Sequence, residues 1–171
     1  LIRELIDTAK SIYVLDNLLT GSLGNLETFK KYENFNFINH DIQHHFEANF
    51  EIDHVIHLAS CASPVSYQSN PINTLKSGSI GTINALGIAR KHNANFLLAS
   101  TSEVYGDPKV SPQREDYWGN VNPVGPRSMY DESKRFAEAA TQSYISEYSL
   151  NAKIIRIFNT FGPGMKLNDG R

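Results

Sequence analysis

Residues 94–108 read ANFLLASTSEVYGDP, an apolar run that ends in hydroxyl and carboxyl side chains before a Gly-Asp-Pro turn. The hydrophobicity is nearly continuous from Ala94 to Thr101, which is typical of a strand covered on both faces in a parallel sheet. The Gly-Asp-Pro sequence predicts a turn after it. This stretch therefore predicts a buried parallel strand with polar side chains at its carboxyl end.

Four other runs rich in β-branched and aromatic residues predict strands at 11–17, 34–42, 54–60 and 152–160. Two amphipathic segments, 71–92 and 129–148, predict helices. Their stripes at spacings of 3 or 4 are Leu75, Ser79, Thr82, Leu86 and Ala89, then Tyr130, Lys134, Ala137, Thr141, Tyr144 and Tyr148. Strands that alternate with helices predict an α/β fold with a Rossmann-like doubly wound parallel sheet, whose ligands lie beyond the carboxyl ends of the strands. Between the elements, the proline-rich segment 106–127 predicts a long functional loop.

Composition excludes several classes of protein. The 171 residues are 40% hydrophobic and 20% charged, which predicts one globular domain with a sizeable core. The formal net charge is −2 and the basic residues are scattered, so we expect no nucleic-acid surface and no polybasic membrane patch. No apolar stretch approaches the roughly 20 residues that span a bilayer. The single cysteine, Cys61, favours a reducing compartment, and the six histidines lack metal-ligand spacing, so we expect no metal site.

The segment YDESK, residues 130–134, carries the most informative pair of side chains. Tyr130 and Lys134 are one helical turn apart and share a face. A phenol is a poor base at its usual pKa of about 10, but a neighbouring cation favours the phenolate. The pair is therefore suited to proton transfer near neutral pH. An amphipathic helix with a surface lysine explains an isolated pair of this kind equally well.

Two other strand ends carry candidate polar groups. Thr101 and Ser102 could hydrogen-bond a sugar hydroxyl and Glu103 could move a proton on carbon, although a strand end before a turn has the same sequence. Asp16 ends a strand, where dinucleotide folds use a carboxylate to bind the adenosine ribose and to repel a 2′-phosphate, so it selects NAD over NADP. On its own, such an aspartate only starts a turn. By position, the next strand ends predict contacts with adenine or the dinucleotide at Asp41, Ile42, Leu58, Ala59 and Ser60.

Taken together, these blocks resemble the extended short-chain dehydrogenase/reductases that act on nucleotide sugars, and among them the UDP-glucuronate decarboxylases (UDP-xylose synthases). The likeness runs through nearly the whole chain. Single blocks are shared across the superfamily, but their ordered set with the 115–127 loop is specific. The blocks are VLDNLLTG, NFINHDI, HLASCASPVSYQSNP, LLASTSEVYGDP, EDYWGNVNPVGPRSMYDESKR, RIFNTFGPGM and the final NDGR.

The resemblance implies the catalytic roles. Tyr130 is the base, Lys134 its partner and a ligand of the nicotinamide ribose, Thr101 positions the substrate, and Glu103 transfers a proton at C5. Related 4,6-dehydratases have an aspartic acid where this chain has Ser102, which points to loss of the C6 carboxylate instead. The implied reaction oxidises C4 with NAD, releases CO2 from the 4-keto sugar, and returns the hydride to give UDP-xylose.

Further contacts follow from the resemblance. Cofactor contacts are implied at Asn17, Leu19, Thr20, Gly21, Ser77 and Thr160. Substrate contacts are implied at Lys76, Asn84, Asn159 and Arg171. The two long helices resemble those by which such enzymes form homodimers, although a helix packed on its own sheet also explains Gly78, Gly81 and Gly87.

The chain departs from the family pattern in several places. The glycine-rich phosphate loop expected before Leu1 and the C-terminal substrate domain are not in the sequence, so we expect residues 1–171 to form a partial NAD-binding Rossmann-like domain. Cys61 stands where the family commonly has Pro, and Gly78 where it has Asn or Ser.

Three interpretations of function stay open. The first is a UDP-glucuronate decarboxylase, the second another NAD-dependent nucleotide-sugar 4-epimerase or 4,6-dehydratase, and the third a catalytically silent, truncated dimerisation module. Relatives of this kind are cytosolic or anchored facing the Golgi lumen. We expect a cytoplasmic location, with the Golgi lumen as the alternative if an N-terminal anchor exists.

Overall fold

The computed structural model describes residues 1–163 and Met165, and the strands in this part of the chain pair in parallel. Each strand lies inside a segment predicted from the sequence, so the prediction of a parallel α/β fold is confirmed. The strands are β1 Ile12–Asp16, β2 Phe35–Asn39, β3 His54–His57, β4 Asn95–Thr101 and β5 Ala152–Ile157.

The strands form two groups, one of order β1-β2 and one of order β3-β4-β5. Within the described residues, β1 and β3 are not hydrogen-bonded to each other, so the parallel Rossmann-like sheet is interrupted between them. A Rossmann sheet has the order 3-2-1-4-5-6. If β1 to β5 take the second to sixth places of that order, the break falls at the place of the first strand.

Three of the helices lie between β3 and β4 in the chain, and α4 and α5 pack on these strands, with α3 packed on α5. The sequence analysis missed α2, although its start is a typical one: Ser63 Oγ accepts from Ser66 N at 3.3 Å, and Pro64 occupies the first turn. The helices are α1 Ile2–Leu5, α2 Pro64–Ser69, α3 Pro71–Lys76, α4 Thr82–Lys91 and α5 Ser128–Tyr148, with a π-helical turn, Ser77–Gly81, between α3 and α4.

The π-helical turn corrects the predicted stripe of the first long helix. The predicted stripe residues Thr82, Leu86 and Ala89 are each 0% exposed. Leu75, which belongs to the same predicted stripe, is 38% exposed, and its neighbour Thr74 is 0% exposed instead. A π-helical turn holds more residues than an α-helical one, so it shifts the phase of the buried face. The prediction assumed α-helical spacing over the whole segment, so it could not place this shift of the buried face.

The core is formed by β4 and the helices that cover it. Phe96 and Leu98 of β4 are 2% and 1% exposed and pack with Leu86 and Ala137. The prediction of a strand covered on both faces is confirmed for β4. In β5, by contrast, exposure alternates along the strand, and Ile155 is 41% exposed.

The predicted loop 106–127 is largely irregular and is tied to the body of the chain at two points. Asn120 N donates to Tyr105 O, just before the loop, at 2.8 Å. Arg135 Nη1 of α5 donates to Val104 O at 2.9 Å and to Trp118 O at 3.0 Å. The loop is therefore held against the carboxyl end of β4. Among the described helices, none is both long and apolar enough to cross a membrane.

Candidate active site

Three of the predicted catalytic side chains lie together where β4 meets α5. Thr101 is the last residue of β4 and is 7% exposed. Tyr130 and Lys134 of α5 are 6% and 7% exposed. Lys134 Nζ donates to Ala99 O of β4 at 2.8 Å and lies 5.8 Å from the centroid of the Tyr130 ring. Packing of one helix on one strand thus assembles a phenol, an ammonium and a hydroxyl.

The proton affinities of this pair differ from the sequence-based prediction. Burial raises the pKa of Tyr130, while the hydrogen bond with Thr101 acts in the opposite direction. Burial lowers the pKa of Lys134 to about 8. As pH rises, Lys134 therefore loses its proton before Tyr130 does. The phenolate beside an ammonium is not the resting state of the free chain, because desolvation outweighs the mutual attraction of the pair.

The ring of Tyr130 is held by a second tyrosine. Tyr67 of α2 stacks on it with ring centroids 5.0 Å apart and an interplanar angle of 9°. Both rings pack with Cys61 in a small apolar cluster. Stacked aromatic pairs of this kind fix orientation as well as burying apolar area. The Tyr130 phenol is therefore constrained from two sides, by α2 and by the strand end.

Beside these rings lies a group of charged side chains. Glu103, in the short 3₁₀ helix Ser102–Tyr105, forms an ion pair with Arg127, the residue before α5. Asp131 is 8% exposed and its Oδ1 has no hydrogen-bond partner. Burial raises the pKa of Asp131 to about 6, with Glu103 acting in the same direction and Arg127 opposing it. Arg127 is thus the cation shared by two carboxyl groups.

The predicted adenosine side of the site lies at the carboxyl ends of β1 and β2. A series of hydrogen bonds connects Asn17 to Asp41 at 2.9 Å, Asp41 to Gln43 at 3.4 Å, and Gln43 to Ser77 at 3.3 Å. The Asp16 carboxylate accepts from Leu18 N at 2.7 Å. Three of the predicted cofactor residues are therefore brought together by one polar path.

The residues present suit a dinucleotide. A Cβ added to Gly21 would lie 3.2 Å from both carboxylate oxygens of Asp16, so a glycine leaves that carboxylate open. Ser60 Oγ, after β3, is buried without a partner, and Tyr67 Oη is another such atom. Buried polar atoms without partners are costly unless a ligand satisfies them. These atoms border the Tyr130 cluster, where the predicted nicotinamide end of the cofactor lies.

Other predicted site residues are not brought into contact with this cluster. The Asn84 amide, predicted to bind substrate, donates instead to Ile42 O at 2.8 Å. Thr160 Oγ1 donates to Phe158 O at 2.7 Å. Arg171 lies outside the described residues. The roles of five further residues stay predictions, because their side chains are exposed. These residues are Leu19, Leu58, Ala59, Lys76 and Asn159.

Several residues of the site were missed by the sequence analysis. Tyr67, Arg127 and Asp131 lie within quoted motifs but were given no role. A partial signal was present for Arg127 and Asp131, because they are four residues apart, although the predicted helix began only at Met129 and Arg127 fell in the predicted loop. Tyr67 had no such signal, since the stacking depends on the unpredicted α2.

Histidines have no part in the described site. His57 is buried, and burial lowers its pKa to about 4, so it is neutral at physiological pH. Its Nε2 lies 3.1 Å from Thr82 Oγ1, which itself donates to Gly78 O at 2.7 Å, so Nε2 carries the proton. His57 thus ties β3 to the π-helical turn. Within residues 1–163 and Met165, no cluster of three or more His, Cys, Asp or Glu side chains could hold a metal.

Comparison with known proteins agrees with this geometry. UDP-glucuronic acid decarboxylase 1 of Xenopus tropicalis is 52% identical over 160 residues, which cover 94% of this chain and 38% of that protein. UDP-glucuronic acid decarboxylase 5 of Arabidopsis thaliana is 46% identical over 172 residues, covering 100% of this chain and 50% of that protein. The solved UDP-N-acetylglucosamine 4-epimerase from Methanobrevibacter ruminantium M1 has a TM-score of 0.82 at 27% identity, covering 98% of this chain and 53% of that one.

The chain spans about half or less of the length of these relatives. The family model that matches it extends over residues 1–171. With that match, the parallel α/β fold and the buried tyrosine and lysine at a strand end, the chain belongs to the NAD dependent epimerase/dehydratase family.

Proposed function

We propose that this chain provides the catalytic strand and helix of an NAD-dependent UDP-glucuronate decarboxylase that forms UDP-xylose. The observation that carries the proposal is the buried group of Thr101, Tyr130 and Lys134, with Ser102 and Glu103 directly after the strand. The identity of 52% and 46% to two decarboxylases supports the choice of substrate. Ser102 supports it too, because it offers no acid to expel a C6 hydroxyl.

Tyr130 begins the proposed reaction by taking the proton of the C4 hydroxyl, which Thr101 orients. Thr101 Oγ1 accepts from Glu103 N at 3.3 Å and its hydroxyl hydrogen-bonds with Tyr130 in the free chain, so it would exchange the bond with Tyr130 for one with the sugar oxygen when substrate binds. Thr101 and Tyr130 then donate to the C4 ketone oxygen, which gains negative charge as the carboxylate on C5 leaves as CO2. Glu103, released from Arg127 and protonated from solvent, then delivers that proton to C5, where hydrogen replaces the lost carboxyl group.

The cofactor would be held at both ends of the site. Asp16, Asn17 and Asp41 would hold the adenosine, while Ser60 and Lys134 would hold the nicotinamide end. When bound, NAD supplies the acceptor for the C4 hydride and returns it at the end of the reaction. NADP is disfavoured, because the Asp16 carboxylate repels a 2′-phosphate.

The test is incubation of the full-length gene product with NAD and UDP-glucuronate labelled with carbon-13 in the carboxyl group. We expect labelled CO2 and an equal amount of UDP-pentose. A hexuronate epimerised at C4, with the label retained, would identify an epimerase instead. Binding of NAD without any product would favour the silent module, and absence of both would reject the proposal.

We also propose that two copies associate through α4 and α5 as a homodimer. These helices pack on each other, and each leaves an apolar side chain exposed, Ile83 of α4 at 39% and Phe136 of α5 at 44%. A second copy presents the same pair, and two such pairs make a four-helix bundle. Light scattering should give the dimer mass for the protein and the monomer mass for Ile83→Glu. A monomer in both samples would contradict the proposal.

A further inference from the structure

An ion pair on the far side of β4 connects every element that carries a proposed catalytic residue. Arg156 of β5 is the register partner of Ser100 in β4. Its Nε and Nη2 donate to the two carboxylate oxygens of Glu138 of α5, at 2.9 Å and 2.8 Å. Ser100 Oγ donates to the same carboxylate at 2.5 Å. Strands β4 and β5 are thus cross-linked to α5.

The remaining nitrogen of Arg156 extends the network to the loop. Nη1 donates to Tyr105 Oη at 2.9 Å and to Glu115 O at 2.9 Å. The guanidinium lies 4.9 Å from the centroid of the Tyr105 ring, and Tyr105 is 3% exposed. One guanidinium therefore holds the end of the 3₁₀ helix and the 106–127 loop as well as the strands and α5.

The partners of Arg156 are close in sequence to the catalytic group. Ser100 precedes Thr101, Tyr105 follows Glu103 by two residues, and Glu138 lies one helical turn after Lys134. Any rotation of α5 against β4 would change the distance between Thr101 and Tyr130. A bidentate contact resists such rotation better than a single hydrogen bond does.

Stability alone does not account for this pair. The side chains of Arg156 and Glu138 are 25% and 14% exposed. The cost of removing such charges from water offsets much of their attraction, and apolar residues of similar volume often stabilise as well. The planar guanidinium supplies what apolar residues cannot, which is a fixed direction for its four hydrogen bonds.

We propose that Arg156 is a positioning residue that, together with Glu138, fixes Thr101 and Glu103 relative to Tyr130 and Lys134. The proposal rests on the proposed decarboxylase function. Arg156 acts through Ser100, Tyr105 and Glu138 and does not touch the substrate. Lysine cannot replace it, because one ammonium cannot span both carboxylate oxygens, the Tyr105 hydroxyl and the Glu115 carbonyl.

The test compares Arg156→Lys with Arg114→Lys. Arg114 is a matched control because it lies in the 106–127 loop and its side chain is 80% exposed. Turnover is measured per cofactor-loaded site, so that a loss of folded protein does not count as a loss of rate. We expect kcat to fall about 100-fold in Arg156→Lys, with little change in KM for UDP-glucuronate, since small misplacements of reacting groups have effects of this size. Unchanged turnover per loaded site would overturn the proposal.

Amide hydrogen exchange gives a readout that does not depend on activity. We expect faster exchange across residues 101–118 in Arg156→Lys and none of this acceleration in Arg114→Lys. Equal exchange in the two variants would overturn the proposal. If the unmodified protein releases no CO2, the proposed function fails, and the exchange comparison alone then decides whether Arg156 anchors this segment.

Two further variants complete the test. The double variant Arg156→Lys/Glu138→Gln should lose little more activity than Arg156→Lys alone, because both residues act in one network. Additive losses would contradict the network.

Tyr105→Phe removes one hydrogen bond of Arg156 and keeps the ring, so this variant replaces Arg156→Lys in the test if Arg156→Lys does not fold. Its kcat should fall about 10-fold with KM unchanged, and an unaltered kcat would count against the proposal.

Discussion

The two strand groups of this chain hold their functional side chains in different ways. On β4 and α5, Thr101, Tyr130 and Lys134 are each at most 7% exposed and are placed by helix and strand packing. On β1, Asp16 and Asn17 are exposed, and their polar atoms contact the loops that follow β1 and β2. Under the proposed function, proton transfer would depend on a preassembled core, whereas adenosine binding would depend on loops.

The largest effect should come from the core side. Tyr130→Phe keeps the ring that stacks on Tyr67 but removes the hydroxyl, so kcat should fall about 1,000-fold, as expected for loss of a general base, while NAD binding persists. Steady-state kinetics and calorimetry measure the two quantities. Tyr148→Phe, at a 42% exposed position on the same helix, is the control. Equal turnover in the two variants would contradict the role of Tyr130.

Lys134 should make stability depend on pH. Its pKa is about 8 in the fold against 10.5 ordinarily, so the unfolded chain binds more protons between these values. The free energy of unfolding should therefore rise between about pH 8 and about pH 10.5, by about 3 kcal/mol at most, and this group should have no effect below that range. Urea unfolding across this range measures the rise. Lys134→Met should abolish it and Lys109→Met should keep it, whereas the same rise in both would exclude Lys134 as the cause.

Helix packing behind the site gives the next largest effect. A Cβ at Gly78 would lie 2.5 Å from Ser133 Cβ, whereas a Cβ at Gly87 would meet nothing within 4 Å. Gly78→Ala should therefore lower the free energy of unfolding by about 2 kcal/mol through overpacking, and Gly87→Ala should raise it slightly. Thermal unfolding compares the two variants. Equal effects of the two variants would mean that α5 does not pack closely on the π-helical turn at Gly78.

The smallest effect should come from the exposed side. Asp16→Asn removes the charge that repels a 2′-phosphate, so the preference for NAD over NADP should fall about 10-fold, the change that 1.4 kcal/mol gives. Competitive binding of the two cofactors measures the ratio. An unchanged ratio would mean that another residue discriminates between them.

Much of the fold was predictable because it depends on local patterns. All five described strands and α5 follow from runs of apolar residues and from a stripe of period 3.6. The break between β1 and β3 falls at the place of the first strand in the Rossmann order, the strand that carries the glycine-rich loop not found in this sequence. The π-helical turn at Ser77–Gly81 changed the buried face without changing the composition of the helix.

The site divides in the same way. Tyr130, Lys134 and Thr101 were found from spacing and strand ends. The stacking of Tyr67, the ion pair of Glu103 with Arg127, and the network of Arg156 depend on contacts between segments 18 to 63 residues apart, for which one sequence carries no signal. The raised pKa of Tyr130 and the lowered pKa of Lys134 could not be read from their spacing, because both shifts follow from burial in the fold.

The most direct test is an NMR titration of the Tyr130 phenol, in the full-length gene product with labelled tyrosine, with and without saturating NAD. Without the cofactor, we predict a pKa above the ordinary value of 10.0, since burial dominates. With NAD, we predict a pKa below it, because the positive nicotinamide and a protonated Lys134 both favour the phenolate. A phenol that titrates at the same pH in both samples would contradict the account.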